Sequence, residues 1–595
     1  MQNAETILKV YYDRGKRGLP LERIYRQLFN PNLFLTAYAN IYSNRGSMTV
    51  GTNGETVDGM SLRRIERIIS KLKNESYHWT PVRRVNIPKK NGKTRPLGIP
   101  TWSDKLVQEV IRLLLESYYE PQFSDHSHGF RPDRGCHTAL RDIVYNGKGS
   151  KWFIEGDIKG CFDNIDQNIL LDILRKDIKD NRFIRLIRNM LRAGYCEQWK
   201  YYASYSGTPQ GGVISPLLAN IYLDQFDKYV EAMLIPTYTR GIRRKEFKKW
   251  TTVRNKIRYA RKKGRYQDAK KWEKVRRTLP CVDPDDPDFR RLRYFRYADD
   301  FILTFIGSKS EAYEIKAKIG IFLRKNLNLE LSQEKTLVTH AQTQRAKFLG
   351  YEIHAQHANN KLDSRGARSV NGVLALKVPN SVIDNACKKY LKKGKPTHRR
   401  ELSADSDYDI VRQYQWHYAG LINYYIMATN ISSFSKLNAV MYKSLLCTLA
   451  NKHKTSNAKI WRKHKDKVNT PHGIRRCLSV IYKREGKRPL IARFGGIPFI
   501  RKPYAILKDR VPIRRPRRTE ILQRLLANEC EVCGSTERIE VHHIRKLSDI
   551  NKKDKKQLPL WAKMMIIRQR KTLVVCQSCH DLIHAGKPLP RKPSG

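Results

Sequence analysis

The chain has 595 residues, 40% of them hydrophobic, enough to fill ordinary cores over about three to five domains. Its 116 Lys and Arg against 56 Asp and Glu leave a formal charge of +60, far beyond what solubility needs, and counterion release then predicts strong, salt-sensitive binding to a polyanion. No stretch reaches the ~20 apolar residues of a membrane span and Met1 to Glu5 opens no secretory signal, so a soluble, intracellular protein is expected.

Residues 1–85 carry an amphipathic stretch from Leu19 to Phe29 and a turn-rich run from Gly51 to Gly59. The basic segment Ile87-Pro88-Lys89-Lys90-Asn91-Gly92-Lys93-Thr94-Arg95-Pro96-Leu97-Gly98-Ile99-Pro100 follows. Lys93 and Arg95 are placed there to hold an incoming triphosphate, because cations beside a transferring phosphoryl group neutralise charge that grows in the transition state. Ordinary surface charge is the other reading. After His128-Gly129-Phe130-Arg131-Pro132, the apolar run Trp152-Phe153-Ile154 leads into Asp157-Ile158-Lys159-Gly160-Cys161-Phe162-Asp163 and puts Asp157 near the end of a buried strand. In Gly207-Thr208-Pro209-Gln210-Gly211-Gly212, glycines without a Cβ let backbone come close to a template and nascent pair, with Gln210 as the contact. Ile214-Ser215-Pro216-Leu217 comes directly after it.

From 238 to 277 the chain is strongly basic and poor in aliphatic residues, a pattern that suits a helical hairpin against RNA phosphates or a solvated insertion. Tyr297-Ala298-Asp299-Asp300 then stands between the strand-like runs Arg293 to Tyr297 and Phe301 to Phe305, the layout of a hairpin with carboxylates at its tip. An Asp-Asp pair alone also fits a solvated bend. Asp157 supplies a third carboxylate from a separate strand, and that trio suits two Mg²⁺ about 4 Å apart, one activating a 3′-hydroxyl and the other holding the leaving pyrophosphate. Lys335-Thr336 and Phe348-Leu349-Gly350-Tyr351 complete this region.

Beyond about 370, helical patterns replace strand-like ones. Tyr424 and Tyr425 are neighbours on a helix and point in different directions, so core packing is expected of at least one, and the Lys452 to Lys467 run is the better candidate for RNA contact. Residues 493–518 are Pro-rich and basic, densest at Arg514-Arg515-Pro516-Arg517-Arg518, a composition that also fits a plain flexible tether. Cys530-x-x-Cys533 and Cys576-x-x-Cys579 have the paired spacing of a tetrathiolate zinc site, a staple for a segment too small to build its own core. Cys136, Cys161, Cys196, Cys281, Cys387, Cys447 and Cys477 are scattered, as in a reducing compartment. A redox role for the paired cysteines is the alternative. His542-His543 and His580-x-x-x-His584 lie between and after the pairs, and Glu540 shares a strand face with His542 as a further candidate ligand.

These motifs, in this order and over almost the whole length, resemble the group II intron-encoded proteins, in which a reverse transcriptase is joined to a maturase and an HNH endonuclease. The resemblance implies a multidomain α+β fold: an RNA-binding extension over 1–85 and right-hand polymerase fingers and palm over 86–370. A helical thumb, or maturase domain X, over 371–490, a basic DNA-binding segment over 491–527 and a zinc-stapled ββα HNH domain over 528–595 would follow. It implies that Phe162 stacks under the sugar and excludes a ribose 2′-hydroxyl, and that Lys335 serves as general acid for pyrophosphate; a core Phe and a surface lysine are the plainer alternatives. In the tail, His543 would be the general base that activates water, while His542, His580 and His584 hold one divalent cation against the scissile phosphate. Mg²⁺ is the usual expectation there, although imidazoles also accept Zn²⁺, Mn²⁺ or Ni²⁺. One departure is that the motif's central Asn is not evident: Arg570-Lys571-Thr572 precedes Leu573-Val574-Val575, so either another group orients the base or cleavage is impaired. An active nuclease is the expectation.

The function so implied is target-primed reverse transcription: the nuclease nicks target DNA, the freed 3′-hydroxyl is extended with deoxynucleoside triphosphates across intron RNA, and the same protein assists splicing of that intron. The implied setting is a ribonucleoprotein in bacterial cytoplasm or in an organellar matrix or stroma, with no membrane partner. The alternative is an RNA-binding splicing factor with an inactive polymerase or nuclease, which would be marked by loss of carboxylates that this chain retains. A polymerase outside mobile elements fits less well beside the maturase-like and HNH-like regions.

Overall fold

A computed structural model describes residues 3–44, 46–88, 92, 94–204, 206–207, 211–364, 368–484, 487–505, 520–550 and 558–590. Lys93, Gln210 and Arg514 to Arg518 lie outside the described residues.

The central element is a four-stranded antiparallel sheet in the order Arg291–Tyr297, Asp300–Ile306, Trp152–Asp157, Val338–His340. Both faces of its inner strands are covered, and alternate residues point to opposite faces. Phe301, Leu303 and Phe305 enter one core with the helices Ser215–Tyr229 and Lys309–Leu327, while Phe295 and Ile302 enter another with Ala139, Leu140 and Ile143. Ser308 caps the Lys309–Leu327 helix and Glu311 reaches back to it in a capping box, which fixes where this cover begins.

Thr94–Ile99 and Val82–Pro88 pair antiparallel in a second sheet, with Ile87 opposite Arg95, and continue to Tyr195–Glu197 and Lys200–Tyr202. The helix Trp102–Tyr119 follows and is buried on nearly every side, including its polar residues Asp104, Gln108, Glu109, Arg112 and Glu116. Its Arg112 is held between Glu109 at 2.6 Å and Glu116 at 2.7 Å, the pairing that a buried guanidinium requires. The amphipathic helix Leu62–Lys73 turns Ile65, Ile68, Ile69 and Leu72 inward. The basic insertion forms the expected helical hairpin, Lys248–Lys262 against Tyr266–Thr278, closed on a small core of Val253, Ile257, Ala260 and Ala269.

The region expected to be a helical thumb is only partly helical. Helices Asp407–Tyr424, Phe434–Lys452 and Asn457–His464 are followed by an antiparallel sheet of Lys465–Thr470, Gly473–Arg484 and Lys487–Gly495, and the last strand crosses the expected boundary at 490. Leu478 and Phe494 are buried in the same core as Tyr414 and Tyr418, with Phe494 crossing Tyr414 edge to face. Dense Arg and Lys, together with exposed Ile474, Ile481 and Ile491, obscure the alternation in the sequence. Lys452, the first residue of the basic run to Lys467, donates to Asp407 at 2.7 Å. Tyr425 is buried and Tyr424 half-buried, and their hydroxyls donate to the carbonyls of Gly350 and Leu349, tying this region to the hairpin after the central sheet.

In the tail, Ile539–His543 and Thr572–Cys576 pair antiparallel ahead of the helix Gln577–His584. The sequence separates this unit from residues 1–85, but in the structure the two share one hydrophobic core. Segment 58–60 joins the edge of the hairpin: Gly59 N–H donates to Val541 O at 3.1 Å and Val541 N–H to Met60 O at 2.9 Å.

Candidate active sites

Antiparallel register sets Asp157 directly opposite Asp300, and side chains of such a pair leave the sheet on the same face. Asp299 joins them from the turn, after Ala298 in the left-handed region at φ 55°. Burial, then the charge of Asp299 and the contact with Asp157, push the Asp300 carboxyl up to about 7. Asp299 is also raised, mainly by burial, with Asp157 adding to the rise and the charges of Lys335 and Arg95 opposing it. A cation between these groups would relieve their repulsion. Lys335 Nζ donates to Asp157 Oδ2 at 2.9 Å, so the lysine stands at the carboxylates rather than on unrelated surface. Arg95 is exposed on its strand with its charge felt at Asp299.

Phe162 is partly buried and meets Phe130 edge to face at 6.2 Å, while Phe130 lies 6.5 Å from Tyr297. The three rings form a row beside the carboxylates. Gly207 and Gly211 do permit close backbone approach, but to the protein itself: a Cβ on the first would lie 2.7 Å from the carbonyls of Phe162 and Asp163, and on the second 2.5 Å from that of Gly98. Each glycine is thereby packed directly against backbone of a neighbouring segment.

Three supporting groups escaped the sequence reading. Arg296 and Asp227 form a wholly buried ion pair, Nε to Oδ1 at 2.7 Å and Nη2 to Oδ2 at 2.5 Å. The same guanidinium donates to Ala298 O at 3.0 Å, fixing the residue before Asp299. Gly129 lies so close to the turn that a Cβ would sit 2.4 Å from Ala298 N, and Asn220 holds its carbonyl at 2.8 Å. Hydrophobic periodicity cannot reveal the pairing of Arg296 with Asp227, of Asn220 with Gly129 or of Gly129 with Ala298, because each joins residues far apart in sequence.

In the tail, Cys530, Cys533, Cys576 and Cys579 bring their sulfurs within 4.8 Å of one another. Cys533 Sγ lies 3.6 Å from Cys576 Sγ, near the ~3.8 Å edge of a tetrahedron with zinc–sulfur bonds of about 2.3 Å. Cys533 N–H also points to Cys530 Sγ at 3.5 Å, so the sulfurs fit Zn²⁺. Chelation, or Cys576→Ser, is expected to make residues 528–590 readily digestible by protease, with loss of bound zinc, because the staple is coupled to folding. Limited proteolysis read by mass spectrometry, with metal analysis, checks this.

His542, His580 and His584 converge as the spacing requires, joined by Asp58. His543 is buried, which holds its imidazole down to about 4 and neutral. Its Nδ1 faces Val541 O at 3.0 Å, so a backbone carbonyl orients the ring without a central Asn. Arg570 pairs with Glu520 and Glu531, away from that ring. Glu540 lies behind the cluster, 2.9 Å from His580 Nδ1, in the position of a group that orients a ligand rather than one that binds the cation.

The fold and these sites define the class: a carboxylate-centred polymerase joined to a zinc-stapled nuclease. Family models agree, matching reverse transcriptase (RNA-dependent DNA polymerase) over 87–353, type II intron maturase over 377–475 and AI2M/AI1M-like HNH endonuclease over 530–580. The group II intron-encoded protein LtrA of Lactococcus lactis subsp. cremoris is 38% identical, over 95% of this chain and 96% of its own length. An uncharacterized 91 kDa protein in the cob intron of Schizosaccharomyces pombe is 36% identical over 98% of this chain and 73% of its own length. A putative COX1/OXI3 intron 1 protein of Saccharomyces cerevisiae is 31% identical over 94% of this chain and 68% of its own length. The chain belongs to the group II intron-encoded proteins, multifunctional proteins with reverse transcriptase, maturase and HNH endonuclease activities.

Proposed function

We propose that Asp157, Asp299 and Asp300 are the catalytic carboxylates of the reverse transcriptase and hold two Mg²⁺. The observation that carries this is the pairing of Asp157 with Asp300 across the sheet, with Asp299 in the adjoining turn. When bound, the cations activate the primer 3′-hydroxyl and offset the charge of the leaving pyrophosphate. Lys335, already at Asp157, is placed to donate a proton to pyrophosphate, and Lys93 and Arg95 to bind the triphosphate. Phe162, braced edge to face by Phe130, stacks under the sugar and excludes a ribose 2′-hydroxyl, which suits deoxynucleotides, and Gln210 contacts the template pair.

In the nuclease, His542, His580 and His584 hold the cation and neutral His543 accepts a proton from water. Cleaved target DNA then supplies the primer for copying intron RNA, and the basic surfaces of the amino-terminal region, the 238–277 insertion and the maturase region bind that RNA during splicing. The architecture is a right-hand polymerase with fingers, palm and thumb, carrying a DNA-binding segment and a ββα nuclease. No helix among the described residues is long and apolar enough to cross a membrane. Relatives from a bacterium and from yeast introns support a ribonucleoprotein in bacterial cytoplasm or an organellar matrix.

Primer extension on an RNA template with deoxynucleotides and Mg²⁺ tests the polymerase assignment. The intact chain is expected to extend the primer and an Asp299→Ala, Asp300→Ala double variant is expected to give none. Extension by the double variant would remove these carboxylates from the chemistry.

A further inference from the structure

The cluster around His542 contains a residue that lies 484 positions away in sequence, as His542 and Asp58 are numbered. Asp58 Oδ1 is 3.2 Å from His580 Nε2 and 3.4 Å from His542 Nδ1, and Oδ2 is 2.8 Å from His584 Nε2. His580 Nε2 and His584 Nε2 face each other at 3.2 Å. For bonds of about 2.0–2.1 Å, a tetrahedral site has ligand-to-ligand edges of about 3.3–3.4 Å. The spacings of 3.2 and 3.4 Å lie close to that edge, and the 2.8 Å contact of Asp58 Oδ2 with His584 is shorter.

His542 gives a second, independent indication. It is 4% exposed, and neither ring nitrogen makes a hydrogen bond of ordinary geometry despite the nearby Asp58 oxygen. A buried imidazole aimed into such a cluster without a hydrogen-bond partner carries a desolvation cost that a metal bond would offset.

The same amino-terminal region occupies the rest of the nuclease face. Segment 58–60 forms an isolated β-bridge with the edge of the hairpin, Met60 opposite Val541, and Asp58 Oδ1 accepts from His543 N–H at 2.7 Å. Tyr38 Oη lies 3.1 Å from His543 Nε2, the nitrogen that would otherwise be free to take a proton from water. His584, with 55% of its side chain exposed, marks the open side of the cluster.

We propose that Asp58 is a fourth ligand of the nuclease cation, completing a three-histidine, one-carboxylate site, and that it holds the coordination position a scissile phosphate needs. The nuclease is then closed by its own amino-terminal region until DNA displaces Asp58. This rests on the assignment of His542, His580 and His584 to the cation. Three imidazoles and one carboxylate suit a borderline divalent ion such as Zn²⁺, Co²⁺ or Mn²⁺.

The full chain, stripped of metal and titrated with Co²⁺, reads this site directly through the visible absorption of tetrahedral nitrogen and oxygen ligation. Thiolate charge-transfer bands report the four-cysteine site separately. Asp58→Ala and the near-isosteric Asp58→Asn are expected to lose the tetrahedral intensity and weaken Co²⁺ binding by about tenfold or more, while His580→Ala abolishes the signal. At saturating Mn²⁺, both Asp58 variants are expected to nick supercoiled plasmid DNA several-fold faster than the intact chain. Unchanged Co²⁺ binding in the Asp58 variants, with loss in His580→Ala, would overturn Asp58 as a ligand. Loss of nicking in folded Asp58→Asn at saturating Mn²⁺ would overturn the closed state. An unchanged signal in His580→Ala would instead remove the histidine assignment on which the proposal rests.

Discussion

Asp227→Ala is expected to destabilise the central sheet by about 3–5 kcal/mol and to abolish primer extension, because it leaves the Arg296 guanidinium buried without a counter-ion. Both side chains are 0% exposed and meet through two nitrogen–oxygen contacts, and Tyr294 donates to the same carboxylate at 2.7 Å. No water is positioned by exposure to replace the lost anion. The measurement is hydrogen exchange across Arg291–Tyr297 and Asp300–Ile306, which isolates this sheet from the rest of a multidomain chain. The double replacement Arg296→Met, Asp227→Leu separates stability from positioning. Apolar substitution of a buried pair can restore stability, so exchange protection is expected to recover. Primer extension is not, since Ala298 O then loses the donor now 3.0 Å away and the turn carrying Asp299 is no longer held. Full recovery of both would show that Arg296 serves stability alone.

The second large effect is expected from Gly129→Ala. The added carbon would lie 2.4 Å from Ala298 N and 3.1 Å from both Ala298 Cα and Tyr297 C, all backbone atoms that cannot rotate aside. Either the loop or the turn must shift to relieve the clash, and a displacement of the turn by about 1 Å costs on the order of 10²-fold in rate. Single-turnover extension at saturating nucleotide is the assay that reports the chemical step. The variant is expected to retain the fold, because the glycine lies at a loop and the nearby Arg131 keeps its contacts with Ser124 O at 2.5 Å and Ser127 O at 2.8 Å. A rate within twofold of the intact chain would show that His128 to Pro132 does not buttress the catalytic turn.

Both effects concern residues whose importance comes from what they hold. Asp157, Asp299 and Asp300 were visible because carboxylates at the ends of apolar runs are unusual, and the cysteine pairs because their spacing has few other uses. Arg296 was not singled out within its strand run: a charged residue there is compatible with an exposed position until Asp227, from the Ser215–Tyr229 helix, is found against it. The sheet after His464 was missed for a different reason. Its buried Leu478, Val480, Ala492 and Phe494 alternate among cationic and exposed apolar residues, so the period of two is diluted.

Sequence by itself determined the order of the functional regions, the three carboxylates, the zinc-ligand spacing and the paired histidines of the tail. Each is a local pattern, set by side-chain chemistry and by backbone periods of two or 3.6 residues. Only the tertiary structure decided that Asp157 faces Asp300, that Arg296 is neutralised by Asp227, and that Asp58 and Tyr38 close over the nuclease histidines. Those pairings depend on strand register and on packing between distant segments, where the cost of burying a charge or an imidazole selects its partner and no local spacing records the choice.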